Sequence, residues 1–337
     1  MLDKKSKPIN ERFGYWSLPI GFLLATILFA GITVLANWLQ SPNQIHQFIL
    51  YKNEPVRITA FRLKEAGIID NPIRFILFAK LFGYERKLKS GKYNLATDLD
   101  ELLTLKILTK GGKSKTLITI PEGKTLKQIA EILEQQGICS KPDLLRQAAN
   151  ESFLFNFGIK AKSAEGYLFP DTYEFEIQSE PEQVLTRMIK RFFSVYNSLL
   201  APKTNLSVAL SLHEIVTLAS IVEAEAKLDD ERPIIASVFL NRLKRKLPLQ
   251  SCATVEYILK ERKPRLSVAD LKIESPYNTY LNPGLPPGPI CNPGKNSLQA
   301  VLAPAKTDYL FFVSRGDGSH QFSKTSQEHQ LAIRRYR

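Results

Sequence analysis

Residues 60–72 read AFRLKEAGIIDNP, and the same order of residue types returns at residues 130–142 as AEILEQQGICSKP. With Gly67 set on Gly137, an offset of 70, Ala60 falls on Ala130, Leu63 on Leu133, Ile68 on Ile138 and Pro72 on Pro142. Each stretch reads as an amphipathic helix stopped by glycine, a short apolar step, and a second helix opened by proline. A solenoid wants roughly three stacked copies or more, so the pattern predicts a duplicated small module. Ahead of the first copy Val56-Arg57-Ile58 reads as extended, with the helix running through Phe61, Leu63 and Ala66. Between the copies, Gly91–Leu95 and Leu117–Ile120 read as strands flanking a helix at Leu102–Thr109. The predicted class is α+β.

Further along, a helical stretch near Ser152–Phe157 leads to Glu165–Tyr173, EGYLFPDTY, aromatic and turn-rich and too polar for a core strand throughout. The domain boundary is placed loosely near Ser163, ahead of that loop. A helix over Pro181–Leu200 comes next, and Ser275–Gly294 (SPYNTYLNPGLPPGPICNPG) is so rich in proline and glycine that regular structure is excluded. Arg315-Gly316-Asp317-Gly318 reads as the turn of a hairpin between Tyr309–Val313 and Gln321–Ser323.

At 337 residues the chain has room for about two domains. With 44% hydrophobic and 23% charged residues and 17 glycines it matches neither collagen-like, low-complexity nor multi-span membrane composition. No Asp, Glu, Lys or Arg occurs from Phe13 to Tyr51, and Tyr15–Leu39 is long enough to cross a ~30 Å hydrocarbon core as one helix. Tyr15, Trp16 and Trp38 stand at its ends, and Lys4, Lys5, Lys7 and Arg12 precede it, which predicts a cytoplasmic tail over 1–14 and an extracytoplasmic remainder. The first 39 residues hold four basic and two acidic side chains, so +11 of the net +13 belongs outside the cytoplasm. A basic surface suits a polyanion, and in that compartment nucleic acid is not the expected one. Three scattered cysteines exclude a disulfide scaffold or a zinc cluster and allow at most one bridge, for which Cys252 and Cys291 are the better pair.

Two motif imitations fail on spacing. Gly112-Lys113-Ser114 lacks the earlier glycine of a phosphate loop, Ile107 standing in its place. His213-Glu214 lacks the second imidazole one turn on, where Thr217 stands. His320 and His329 read as structural. Neither a metal nor a cofactor is expected.

Ser211-x-x-Glu214 has the pattern of a capping box, and the helix it opens carries Ile215, Leu218, Ala219 and Val222 along one face. At about 100° per residue Glu223 falls some ~80° from Ile215, at the edge of the apolar stripe. A carboxyl there is partly desolvated, which favours its protonated form and suits a general acid. A solvated or salt-bridged glutamate fits the same periodicity, and Glu225 lies on the opposite edge. In the next helix, capped by Asp229 or Asp230 and with Pro233 in its first turn, Ile234, Val238 and Leu243 are expected to form the apolar face. Tyr277, Asn278 and Tyr280 in the rigid Pro/Gly run offer flat faces and amides to a carbohydrate.

LASIVEAEA (Leu218–Ala226), ASVFLNRL (Ala236–Leu243), LQSCATVEY (Leu249–Tyr257), SPYNTY (Ser275–Tyr280), GLPPGPICNPG (Gly284–Gly294) and EGYLFPDTY together resemble the MltG/YceG family of endolytic murein transglycosylases. The resemblance implies a single transmembrane helix (15–39), a LysM-like region with two related copies (40–162) and a mixed α+β catalytic domain (163–337). It further implies a lyase cleaving MurNAc–GlcNAc bonds inside nascent peptidoglycan strands to leave 1,6-anhydro-MurNAc ends, anchored in the inner membrane beside peptidoglycan synthases. The family's catalytic glutamate falls on Glu223, and Gln250, Asn278 and Tyr280 are expected to line the cleft with Glu165 and Tyr167 approaching it. Ordinary glycosidases use two carboxyls. If the sugar's own C6 hydroxyl attacks C1, one suffices to give and take the proton. Where family members often carry Thr-Asp-Pro after the glutamine, this chain has Ser251-Cys252-Ala253, so no role of that aspartate carries over. A non-catalytic peptidoglycan-binding or division scaffold is the alternative, needing the LysM-like copies but not Glu223.

Overall fold

Gly67 and Gly137 both lie in the left-handed region, at φ +66° and +72°. There the chain turns back on the helix it has just left, and Ile68 and Ile138 donate their amides to Leu63 O and Leu133 O, each at 2.9 Å. The correspondence runs further than the quoted stretches. Asp98 and Gln178, both at positive φ (55° and 58°), donate to Gly67 O and Gly137 O at 3.1 and 2.9 Å.

The structure is a computed structural model that describes residues 44–200, 210–259, 263 and 266–336. The chain divides into two compact units at Gly111/Gly112. The first contains β1 (Ile45–Leu50), α1 (Val56–Glu65), α2 (Pro72–Leu81), β2 (Gly91–Ala96) and α3 (Glu101–Lys110). Strands β1 and β2 pair antiparallel, Ile45 opposite Ala96 and Leu50 opposite Gly91. Phe48, Leu63, Phe75, Tyr93 and Leu105 fill the core beneath them. The carboxylate of Glu101, fully buried, accepts from Asn71 N and from the Arg74 guanidinium, tying α3 to the start of α2.

The second unit opens in the same order: β3 (Lys115–Thr119), α4 (Leu126–Gln135) and α5 (Lys141–Ala148), then α6 (Glu151–Phe155), β4 (Thr172–Glu176) and α7 (Pro181–Leu199). β1 and β3 start 70 residues apart, as do α1 and α4, and α3 and α7 start 80 apart. The added length lies between α5 and β4 and holds α6 and the loop with Glu165 and Tyr167.

After these come α8 (Leu212–Glu225), a 3-10 turn at Asp229–Glu231, α9 (Arg232–Lys244), α10 (Cys252–Leu259), the irregular run through Gly294, α11 (Lys295–Leu302), the hairpin β5 (Phe311–Ser314) and β6 (His320–Ser323), and α12 (Ser326–Tyr336). Helices α8, α9 and α11 pack on one another, and one apolar core runs from α4 to α11.

The mixed α+β class, the irregular Pro/Gly run and the hairpin agree with the sequence patterns. Four expectations do not. The boundary falls at Gly111 because β3 hydrogen-bonds to β4, so the second copy folds together with the glutamate helix and its neighbours. Val56-Arg57-Ile58 is the first turn of α1, since Val56, Thr59, Ala60 and Leu63 bury one helical face, and that burial overrides the β preference of Val and Ile. Thr172 and Tyr173, read as loop, start β4. In α9 the buried run is Ile235–Leu240 without a break, with Ile234 and Leu243 only half-buried, because this helix is enclosed by its neighbours. No disulfide joins Cys252 and Cys291, each of which keeps its thiol. The segment 15–39 lies outside the described residues, and among those residues no helix is long and apolar enough to cross a membrane.

Candidate active site

Ser211 and Glu214 close the capping box at the start of α8, Ser211 Oγ accepting from Glu214 N and Glu214 Oε2 from Ser211 N at 2.8 Å. From there Ile215–Val222 are all buried, and the helix leaves the core at Glu223. That side chain is only 7% exposed. Its Oε2 accepts from Gly294 N at 3.0 Å and Ser297 Oγ at 2.8 Å, the N-cap and third residue of α11, and lies 3.3 Å from Arg232 Nη1. Arg232 in turn donates to Ser297 Oγ and, through Nε, to Asp229 Oδ1 at 2.8 Å. Asp229 therefore holds the arginine rather than capping α9, which has no side-chain cap bond. Burial works against the charge on Arg232. The bond to Asp229 and the fields of Glu223, Asp229 and Glu122 outweigh it and raise its pKa above the ordinary arginine value.

A second clamp closes the loop end of this site. Gly123 N donates to Asn292 O at 3.0 Å and Asn292 N to Lys124 O at 2.9 Å, laying the turn before α4 along the segment that ends at Gly294. The Asn292 amide donates to Lys124 O and to Glu165 Oε1, and its oxygen accepts from Leu168 N at 2.8 Å. Glu165 Oε1 also accepts from Leu126 N at 2.8 Å. Glu122, at the head of the turn, carries a carboxyl raised above its usual range, first by burial and then by the charge of Glu223, with Asp229 adding and Arg232 opposing.

The residues named from sequence fall into three groups. Glu165 belongs to the loop clamp just described, braced behind Glu223. Gln250 and Tyr280 meet instead the segment that begins at Ser251, which reaches Glu225, two residues further along α8. Glu225 Oε1 accepts from Ser251 Oγ, Tyr280 Oη meets Cys252 Sγ at 3.1 Å, and Gln250 is exposed at φ +52° with its Oε1 held by Arg242. A non-glycine residue in that conformation costs of the order of 1 kcal/mol, the kind of strain that surrounding structure must impose. Asn278 and Tyr167 do not line an open face. Asn278 is fully buried, donating to Leu271 O and Ile273 O and accepting from Tyr280 N, so it sets the loop that carries Tyr280. Tyr167 is 1% exposed and donates to His213 Nδ1 at 2.9 Å, while His213 Nε2–H donates to Pro287 O.

Glu122, Arg232, Asn292, Gly294 and Ser297 have no role in the sequence reading. Their meeting depends on pairing segments more than 60 residues apart, for which a single chain carries no periodic signal. Only the glycine pair Gly123 and Gly294, each next to a proline-bearing turn, hints at close backbone approach.

Fold and site together define a mixed α+β protein with a repeated strand-helix-helix-strand unit and a glutamate site between a central helix and a glycine-lined loop. The YceG-like family model matches residues 49–335, and the chain belongs to that family. It is 37% identical over 294 residues to the endolytic murein transglycosylase of Bacillus subtilis (strain 168), a match covering 81% of this chain and 80% of that protein. Against the endolytic murein transglycosylase of Streptococcus pneumoniae (strain ATCC BAA-255 / R6) the identity is 33% over 307 residues, covering 80% of this chain and 54% of that one. A crystal structure of the yceG-like protein lmo1499 from Listeria monocytogenes superposes with a TM-score of 0.59 at 33% identity, covering 85% of this chain and 98% of that one.

Proposed function

We infer that this chain is an endolytic murein transglycosylase, a lyase that cuts the MurNAc–GlcNAc bond within peptidoglycan strands and leaves 1,6-anhydro-MurNAc ends. The observation that carries the reading is Glu223. It is nearly buried at the exit of α8 and held at one oxygen by Gly294 N, Ser297 Oγ and Arg232, in a chain whose relatives bear that activity in their names. The reaction needs no water: the C6 hydroxyl closes on C1, one proton reaches the leaving oxygen and one leaves O6. Glu223 is the carboxyl through which this exchange passes. Gln250 and Tyr280, flanking the Ser251–Cys252 segment that reaches Glu225, form the neighbouring wall for the sugars, while Glu165, Tyr167 and Asn278 hold the loops in place.

The two strand-helix-helix-strand copies support reading them as LysM-like modules. The charge-free segment 15–39 supports a single-pass anchor in the inner membrane with the site outside the cytoplasm, where nascent strands emerge from membrane-bound synthases as the natural partners. Mass spectrometry of uncrosslinked glycan incubated with the full chain tests the activity. Internal cuts with anhydro ends are expected from the wild type and none from Glu223→Gln. Reducing ends from the wild type would make the enzyme a hydrolase and end this reading.

A further inference from the structure

Glu122 and Glu223 meet at one glycine. Gly294 N donates to Glu223 Oε2, and the place a β-carbon would take on Gly294 lies 2.0 Å from Glu122 Cδ and Oε1. No real contact is that short, so the space is held by the carboxylate. Gly294 is the N-cap of α11 with φ −77° and ψ 175°, a conformation open to every residue and a position where Ser, Asp or Asn usually serves better. Its backbone therefore does not call for glycine; the missing β-carbon is what lets the Glu122 carboxyl lie in this position, since a side chain there would push it aside. The residue after Glu122 completes the approach, since a β-carbon on Gly123 would lie 3.7 Å from Glu223 Cγ. The Asn292 ladder keeps that turn in register.

We propose that Glu122 is a second catalytic residue of this site, delivering the proton to the leaving glycosidic oxygen while Glu223 takes the proton of the attacking C6 hydroxyl. The proposal rests on the transglycosylase reading and divides between two carboxyls what one would otherwise do in turn. The bond from C1 to the glycosidic oxygen breaks with its electron pair on that oxygen, which receives the proton of Glu122. A lone pair of O6 forms the new bond to C1, and the O6 proton passes to Glu223. The pair ends with the proton count it began with, and exchange with solvent returns the proton to Glu122.

Three features set the direction. Glu122 is exposed, so it reaches a bulky leaving group and reloads from water, whereas the Glu223 side chain is 7% exposed. Glu223 Oε2 already receives Gly294 N–H and Ser297 O–H and faces the Arg232 guanidinium, the surroundings of an acceptor. Although the residue as a whole is exposed, its carboxyl is partly desolvated, and that together with the charges of Glu223 and Asp229 favours the protonated form against the opposing charge of Arg232.

The test is the pH dependence of kcat and KM for the full chain on uncrosslinked glycan, wild type beside Glu122→Gln, Glu122→Asp, Gly294→Ala and Glu223→Gln, with a thermal melt of each. Removing a general acid costs roughly a hundredfold or more in rate. Glu122→Gln is expected to lose at least about that much in kcat with KM and melting temperature nearly unchanged, and to lose the alkaline fall of the wild-type profile. Glu122→Asp keeps that fall at an intermediate rate. Gly294→Ala leaves the amide on Glu223 but displaces the Glu122 carboxyl, and slows cutting by about tenfold or more. A folded Glu122→Gln protein that cuts within about threefold of wild type, or keeps its alkaline fall, overturns the assignment while Glu223→Gln stays dead. A wild-type chain that cuts no glycan overturns the transglycosylase reading itself.

Discussion

Glu165 is 8% exposed, and its carboxyl is pushed up to about 8 by burial, against the bonds from Leu126 N, Asn292 and Gly166 N that favour its ionised form. In the folded chain it is therefore neutral at pH 7, whereas an unfolded glutamate ionises near pH ~4.3. Between those two values the folded state holds the extra proton, so this residue makes stability fall as pH rises from about 4.3 to about 8 and level off above. Glu165→Gln is expected to flatten that slope, as read by urea unfolding at a series of pH values; an unchanged slope would mean the carboxyl is ionised in the fold. At this scale Glu223 is legible because it ends the apolar run of α8 inside a motif that resembles the family's; helical spacing alone fits a salt-bridged glutamate equally well. The sequence hides Glu122, which sits in a turn with no period, its neighbours Gly294 and Arg232 arriving from segments remote in the chain.

The elements most legible in sequence are those set by local chemistry. The capping box of α8, the glycine stops at Gly67 and Gly137 and the proline starts of α2 and α5 each need only a few adjacent residues. What periodicity misses is enclosure: α8 and α9 bury unbroken runs, because neighbours cover both sides of each, so a one-sided stripe describes neither. The loop after α6 illustrates how closely these elements approach. Gly166 lies at φ +87°, and a β-carbon there would come within 2.4 Å of Pro289 Cγ and 2.8 Å of Val216 Cγ1. Gly166→Ala must both strain the backbone and separate the loop from α8, for a loss of about 2–4 kcal/mol. Chemical denaturation measures it, and a loss below about 1 kcal/mol would show that the loop yields freely.

At the scale of the whole molecule the duplication is plain in sequence, and the division between the copies is not. Sequence separates the second copy from the glutamate helix near Ser163, whereas the sheet joins them: β3 supplies the partner of β4, and the hydrophobic core continues from α4 to α11. A fragment starting at Gly112 is therefore expected to unfold cooperatively, and one starting at Ser163 to lack a sharp transition, since it loses β3, α4 and the turn carrying Glu122. Calorimetry of the two fragments checks this, and equal transitions would restore the later boundary. The same duplication offers an internal control. Seventy residues before the Glu122-Gly123 turn stands Lys52-Asn53, and Asn53 keeps the left-handed geometry of Gly123, φ 61° against 73°. The two copies thus share the turn and differ in its charge: the later carries a carboxylate beside a left-handed glycine, while the earlier holds a cation at the corresponding place.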